Sequence, residues 1–497
     1  MHRWRESPKL YWYTANRMPP ARSRTAPHRT MQLELDPHHP QRTLVDQIVQ
    51  AIRAAVDNHS LLPGTRLPSV RKLAQAHDIS TFTVAEAYTR LAALGAIVAR
   101  PRSGYLVAAR APVQPVPVAP RWEPPTLNAA WLLSDVFADR SIAIKPGCGW
   151  LPNDWLDERG VQEAMRMVSR VSALRVAGYG HPWGYAPLGD YVAQSLALRG
   201  LPVERAQVLL TSGATQALDL IVRTLFKAGD VVAVEDPAYC NVLQVLKLAG
   251  LRAVGVPRTP EGLDTAALES ILRRDEASRP RALFVSSVLQ NPTGSTMTAQ
   301  NAYRVLQLAE QHGLWIVEDD LHRELADPAA PMLAALDGLR RTLYVSGFSK
   351  TISPSLRAGY VVADAAITRE LARTKMAVAL TSSEITERIV HAFVTRPAYA
   401  EHVAHLNARL GTAHAGAEAT MREHGAILFD TPKRGLFLWA RLPGHADASA
   451  LADRAIRHNI WLAPGQYFRP DDTASPWLRF NVAYSGDPAL WDFLKHA

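Results

Sequence analysis

Apolar positions between Thr43 and Val107 recur at helical spacing, stop, and resume. TLVDQIVQAIRAAV sets Leu44, Ile48, Ala51, Ile52 and Ala55 on one face at intervals of three and four, which predicts an amphipathic helix. The LLPGTRLPS that follows breaks this helix with proline and glycine and leaves Ser69 placed to cap VRKLAQAH. A second break at DIS places Ser80 to cap TFTVAEAYTRLAALG, whose Val84, Ala87, Tyr88 and Leu91 turn inward. IVARPRSGYLV then reads as two strands around a basic turn. Short helices across a tight turn, closed by a hairpin, predict a winged helix-turn-helix.

The pattern changes beyond VAARAPVQPVPVAPRWEPPT, which holds six prolines between Arg110 and Thr126. Proline at that density resists helix and sheet and forms an extended spacer. After it, β-branched apolar runs alternate with amphipathic stretches, as in a parallel sheet with crossover helices. The fold expected is therefore α/β, with a winged helix ahead of it. The expected divisions are a basic tail at 1–35, the winged helix at 36–110, a linker at 111–128 and the α/β unit at 129–497.

Charge sharpens this division. Residues 1–110 hold 16 Lys and Arg against 7 Asp and Glu, whereas residues 111–497 hold 39 of each, so the whole net charge of +9 lies at one end. An asymmetry of this kind is expected where one end meets a polyanion. Residues 1–35 contribute 7 cations against 2 Glu without any helical or strand period; they are expected to be disordered, with Met31 a candidate start. Cys148 and Cys240 offer neither a disulfide framework nor metal-ligand spacing and read as buried small apolar residues in a reducing compartment. No apolar run approaches the roughly 18 residues that would cross a bilayer, and the N-terminus lacks a signal peptide pattern. A cytoplasmic protein with no membrane partner and no metal is expected.

A winged helix sets the start of its second helix in the major groove of double-stranded DNA. Ser80, Thr81 and Thr83 lie there, with Thr81 and Thr83 expected at base edges; Arg71, Arg100 and Arg102 are expected on phosphates. A helical hairpin that only mediates dimerisation fits the same periodicity. The stretch LLPGTRLPSVRKLAQAHDISTFTVAEAYTRLAALGAIVARPRSGYLV closely resembles the DNA-binding domain of the GntR family of bacterial regulators, through nearly all of residues 42–107. The resemblance implies DNA binding. It departs at Thr81, where the family often carries arginine.

In the second unit, several strand ends carry chemistry suited to a flat, phosphorylated aldehyde. LLTSGATQALDLIV is a strand, a glycine turn and a helix start whose Ala214 and Thr215 amides can meet a phosphate. DVVAVEDPAYC ends at Tyr239, a ring that could stack on another; in isolation such a tyrosine is more often core. RALFVSSVLQNPTG ends at Asn291, and LWIVEDDLHREL sets Asp319 and Asp320 after a strand, where α/β folds gather ligands. In SGFSKTISPSLRAGY, Lys350 follows a strand-like run and Arg357 lies seven positions on. An amine that forms a Schiff base must lose its proton more readily than a surface lysine, and an arginine can hold a phosphate with two parallel bonds.

YGHPWGYAPL, TSGATQAL, EDPAY, QNPTG, VEDDLHREL, SGFSKTISPSLRAGY and WLRFNVAYS occur in this order, and the set resembles the fold-type I aminotransferases. The chain from about 42 to 485 resembles the MocR class of GntR regulators, in which a winged helix is fused to such a domain. The resemblance implies a mixed, mostly parallel sheet with helices on both faces, a smaller C-terminal α+β subdomain, and pyridoxal phosphate as cofactor. It implies Lys350 as the Schiff-base lysine, Asp319 on the pyridine nitrogen, Asn291 on the ring hydroxyl, Tyr239 on the ring face, Arg357 on the phosphate and Arg479 on the carboxylate of an amino-acid ligand. Tyr179 resembles the tyrosine that reaches the neighbouring subunit's phosphate, which implies a homodimer.

Two positions depart from the family. His322 stands where relatives carry a tyrosine that bonds the ring oxygen; imidazole can also donate there. Gly347 stands where relatives carry a phosphate-binding serine or threonine, with Ser346 and Ser349 close enough in sequence to compensate. The leading expectation is a transcription regulator in which an incoming amino acid or amine displaces Lys350 and forms an external aldimine. A working aminotransferase, and a DNA-binding protein whose second half is only a dimerisation scaffold, are the alternatives.

Overall fold

The computed structural model describes residues 33–37, 42–100, 103–108, 142–170 and 177–496. They fall into two compact units, one within residues 1–123 and one within 124–497. The expected tail and linker lie almost wholly outside the described residues, as does Arg102.

In the first unit, α1 (Leu44–Asp57), α2 (Val70–Ala76) and α3 (Thr81–Ala93) precede a hairpin of β1 (Ile97–Arg100) and β2 (Gly104–Val107). Each helix begins at a hydroxyl cap: Thr43, Ser69 and Ser80 accept from the backbone amides of Asp46, Lys72 and Thr83. Such a cap satisfies one of the amides that a helix start leaves without a partner. Ile48, Ile52, Val84, Ala87, Tyr88 and Leu91 are fully buried together. Leu44, Ala51 and Ala55, expected on the same inner face of α1, are only half-buried, because α1 is covered on a narrower stripe.

The second unit is built on an eight-stranded sheet. Its strands are β3 (Val208–Thr211), β4 (Val231–Asp236), β5 (Arg252–Thr259), β6 (Gly262–Leu263), β7 (Ala282–Val285), β8 (Trp315–Asp319), β9 (Thr342–Gly347) and β10 (Gly359–Val362), in the spatial order β3-β10-β9-β8-β7-β4-β5-β6. The five strands β9-β8-β7-β4-β5 are parallel, while β10, the edge strand β3 beyond it and the opposite edge β6 pair antiparallel. Side chains alternate across the sheet, so Val232 and Val234 of β4 pack on helices Ala214–Leu225 and Cys240–Leu248, while Ala233 between them packs against Thr265–Leu272 and Ala299–His312. Both faces are thus covered, which is why the central strands read as continuous apolar runs.

A smaller antiparallel sheet follows, of β11 (Ile427–Leu428), β12 (Phe437–Arg441), β13 (Ala463–Pro464) and β14 (Trp477–Asn481), in the order β11-β12-β14-β13. It packs on the helices Ala398–Glu423, Ala448–Arg457 and Pro488–His496 through a core that includes Leu406, Leu410, Leu438, Leu451, Phe480 and Trp491. No helix among the described residues is long and apolar enough to cross a membrane.

Candidate functional site

The ends of β3, β4, β8 and β9 and the middle of β14 bring the expected residues of the second unit together. The chain leaves β3 through Gly213, at φ +87°, and enters the helix at Ala214. A side chain at Gly213 would lie 2.7 Å from the guanidinium of Arg357. Arg357 is itself held in a left-handed conformation at φ 47°. A cation therefore sits against a helix start whose Ala214 and Thr215 amides lack intrahelical partners, a combination suited to an anion. Tyr239 caps the helix after β4, and burial raises its hydroxyl pKa while the charges of Asp319, Arg479 and Arg357 act on it.

Lys350 follows β9. Its Nζ donates to the carbonyl of Gly149 at 2.6 Å. Burial, with help from the Arg479 charge, lowers its pKa from 10.5 to about 8, while Cys148 and Asp319 pull the other way. An ammonium carries three protons, so one bond leaves donors to spare. Asp319 ends β8 and, among the described residues, accepts from the Leu321 amide at 3.3 Å. Burial pushes its carboxyl up to about 7, with Asp320 and Glu235 adding to the rise and the Leu321 amide and Lys350 opposing it. A carboxylate in this state is stabilised by any cationic group brought beside it. The neighbouring Asp320 serves the scaffold instead. It pairs with Arg323 at 2.6 Å, and Arg323 also bonds the carbonyls of Ala330 and Pro331.

Arg479 is 6 % exposed on β14. It donates to Asn291 Oδ1 at 2.8 Å and to the carbonyl of Gly147 at 2.6 Å, and its guanidinium lies over the rings of Phe437 and Phe468 at 4.7 and 4.9 Å. The segment Gly147–Trp150 therefore touches both Lys350 and Arg479. Asn481 fixes this segment by donating to the carbonyls of Cys148 and Trp150. Cys148 is fully buried, as expected, with its thiol pKa raised by burial to about 11. Sequence reasoning missed the role of this segment, and of Phe437 and Phe468; the two glycines flanking Cys148 in PGCGW were the only signal.

His322 is buried edge-on to Phe437, with ring centroids 5.7 Å apart. Burial, then the charges of Lys350 and Arg479, lowers its pKa to about 3, so the imidazole is neutral. Its Nε2 is buried without a hydrogen-bond partner among the described residues. At Gly347 a side chain would lie 2.9 Å from the Ala358 carbonyl and 3.1 Å from Gly359 Cα, so a serine there would require this backbone to shift. Ser346 donates to the Asp320 carbonyl at 2.9 Å and is thereby engaged; Ser349 is half-buried. Tyr179 is 87 % exposed.

In the first unit, Arg71, Thr81 and Arg100 are exposed, and Thr83 is half-buried. Ser80 Oγ accepts from Thr83 N at 3.0 Å and lies 2.8 Å from Thr83 Oγ1, so both hydroxyls help to close the start of α3.

A lysine amine of lowered pKa, a carboxyl destabilised by burial, a guanidinium beside helix amides and an unpartnered imidazole define the kind of protein. The fold is that of the class I and II aminotransferases, whose family model matches residues 153–492; the bacterial regulatory proteins of the gntR family match residues 44–107. The chain belongs to the class I and II aminotransferase family with a gntR-type domain ahead of it, the architecture of MocR-type transcription regulators. It is 30% identical over 453 residues to the HTH-type transcriptional regulator YdcR of Escherichia coli, covering 88% of this chain and 94% of that one. It is 33% identical over 334 residues to the 2-aminoadipate transaminase of Thermus thermophilus, covering 65% and 81%. The structure of LysN, an α-aminoadipate aminotransferase of Thermus thermophilus complexed with N-(5'-phosphopyridoxyl)-L-leucine, superposes with a TM-score of 0.67 at 27% identity, over 73% of this chain and 93% of that one. The cofactor of this family is pyridoxal phosphate, and the donor set described above fits it.

Proposed function

We propose that this regulator senses an amino acid or related primary amine at Lys350, with the outcome transmitted to its DNA-binding unit. The observation that carries the proposal is the paired engagement of Lys350 and Arg479 by the carbonyls of Gly149 and Gly147. An α-amino acid offers an amine and a carboxylate at the spacing of one carbon, and the carboxylate competes directly for the Arg479 fork.

When bound, pyridoxal phosphate supplies an aldehyde carbon that condenses with primary amines and a pyridine ring that draws electron density from it. Lys350 would hold that carbon until a ligand amine replaces it, and its lowered pKa leaves part of the population unprotonated near neutrality. Asp319, as a carboxylate, would face the pyridine nitrogen and keep that nitrogen protonated. Arg357, with the Ala214 and Thr215 amides and Ser349, would hold the phosphate; Tyr239 would cover the ring. Asn291 and the neutral His322 would meet the ring oxygen.

A homodimer in the cytoplasm, with Tyr179 reaching the partner's phosphate site, belongs to the same reading. Its support is the exposure of Tyr179, with Met376, Val378, Leu380 and Ile385 exposed as well. The proposed divisions are a basic tail at 1–35, a winged helix at 36–110 with Arg71, Ser80, Thr81, Thr83, Arg100 and Arg102 on DNA, a linker at 111–128, and an effector and dimerisation domain at 129–497. For a near-complete switch the ligand must favour one arrangement by about 5.5 kcal/mol.

Turnover as an aminotransferase is the second reading, favoured by the presence of Lys350 and Asp319 together and by the likeness to a transaminase. Absorption spectra of the reconstituted protein and of Lys350→Ala, titrated with a panel of amino acids and then given an oxo acid, separate the two. Sensing predicts a spectral change that saturates at one equivalent and shifts DNA affinity. Sustained formation of a new amino acid supports the enzyme instead, and a colourless reconstituted protein with no borohydride-trapped adduct at Lys350 rejects both.

A further inference from the structure

The first turn of α3 presents one large apolar side chain to solvent: Phe82 is 78 % exposed. Two of the hydroxyls beside it already have partners. Ser80 and Thr83 spend their hydroxyls on closing the helix start. Val84, Ala87, Tyr88 and Leu91, on the opposite face, are fully buried. One turn further along the outer face, Glu86 is bound by Arg90 at 3.0 Å, and Arg90 also holds Asp46 at 3.1 Å. The acid on this face is therefore balanced, while Arg71, Lys72 and Arg100 of the same unit are exposed and form no ion pair among the described residues. This surface suits a polyanion, yet its most prominent side chain is a hydrocarbon ring.

We propose that Phe82 reads a thymine in the major groove through its C5-methyl group, and is thus a specificity-determining residue of the DNA-binding surface. The proposal rests on the DNA-binding role of the gntR-type domain and names what one of its residues recognises. In a helix-turn-helix, the N-terminal residues of the second helix reach the base edges. A phenyl ring can neither donate nor accept a conventional hydrogen bond. Of the groups that bases expose in the major groove, the thymine methyl is the apolar one; the others are donors and acceptors that a ring would strip of water without compensation. Phe82 therefore discriminates twice, by burying a methyl where thymine stands and by leaving a polar edge unpaired where it does not.

The test begins with selection of binding sites from a random double-stranded DNA library by the full-length protein. Affinity is then measured for the selected duplex and for versions in which each thymine in turn is replaced by deoxyuridine, a change that removes only the methyl. The wild type is expected to lose about four-fold at one position of a half-site, the equivalent of one apolar carbon returned to water. Phe82→Ala is expected to bind the thymine and uracil duplexes equally and more weakly, and to unfold at the same temperature as the wild type because the side chain lies outside the core. Wild-type indifference to every uracil, or a methyl dependence that survives in Phe82→Ala, overturns the proposal. A selection that enriches no sequence removes the DNA-reading role itself, a failure distinct from that of Phe82.

Discussion

Two lysines of the second unit, Lys350 half-buried and Lys375 fully buried, have the same lowered pKa and different partners. Lys375, in the helix Ala365–Ala379, is fully buried, and burial lowers its pKa to about 8, the value also reached by Lys350. Its Nζ donates to the carbonyls of Pro182 and Leu210 and to Ser382 Oγ, at 2.9, 2.8 and 2.8 Å. Ser382 in turn donates to Glu387, which accepts from the Tyr185 amide at 2.7 Å. All three ammonium protons are used, and the lysine ties β3, the HPWGY segment and the helix Glu384–Val394 into one piece. Lys350 has a single acceptor among the described residues and lies among groups that also lack full satisfaction, Asp319 and His322. A shifted pKa marks burial; spare bonding capacity at strand ends marks chemistry.

The comparison breaks most visibly at Lys375. Lys375→Ala leaves Glu387 buried without its cation and two carbonyls without donors, and is expected to cost about 3–5 kcal/mol in denaturant unfolding. Lys350→Ala removes a desolvated amine that holds one carbonyl, and its stability is expected to change by less than about 1 kcal/mol. Equal losses for the two variants would erase the distinction.

The smallest effect is in pH dependence. The pKa of Lys350 lies near 8, below its ordinary 10.5, so the unprotonated amine grows as pH rises through about 8. The rate at which pyridoxal phosphate is trapped on Lys350 by borohydride is expected to climb from pH 7 to 9 and then level off, while Lys375 stays unlabelled despite its similar pKa. Both lysines bind fewer protons folded than unfolded between about 8 and 10.5, so each adds stability that increases with pH across that window. The pH slope of Lys350→Ala should accordingly be shallower there than that of the wild type.

Much of the site was legible because its residues sit in short motifs at strand ends. Gly213, Tyr239, Asn291, Asp319 and Lys350 each follow an apolar run that the sheet buries on both faces, and a run of that kind predicts where the turn after it must fall. The caps Ser69 and Ser80 were legible for a similar reason, since a hydroxyl before a periodic stretch acts over three residues. Contacts between distant segments were not legible. Arg479 meets Gly147 across 332 residues and Lys350 meets Gly149 across 201, and no local pattern announces either bond. No local pattern singled out Lys375 or Phe82 either.

Sequence alone determined the winged helix, the alternation of strands and helices, the one-sided charge and the place of Lys350 just after a strand, because periodicity, capping and turn chemistry act over a few residues. Tertiary structure alone decided which lysine is walled in, which histidine is neutral, why Gly347 has no room for a side chain and which phenylalanine faces water. Those outcomes depend on burial and on the count of bonding partners, and both are set by segments that meet only after the chain has folded.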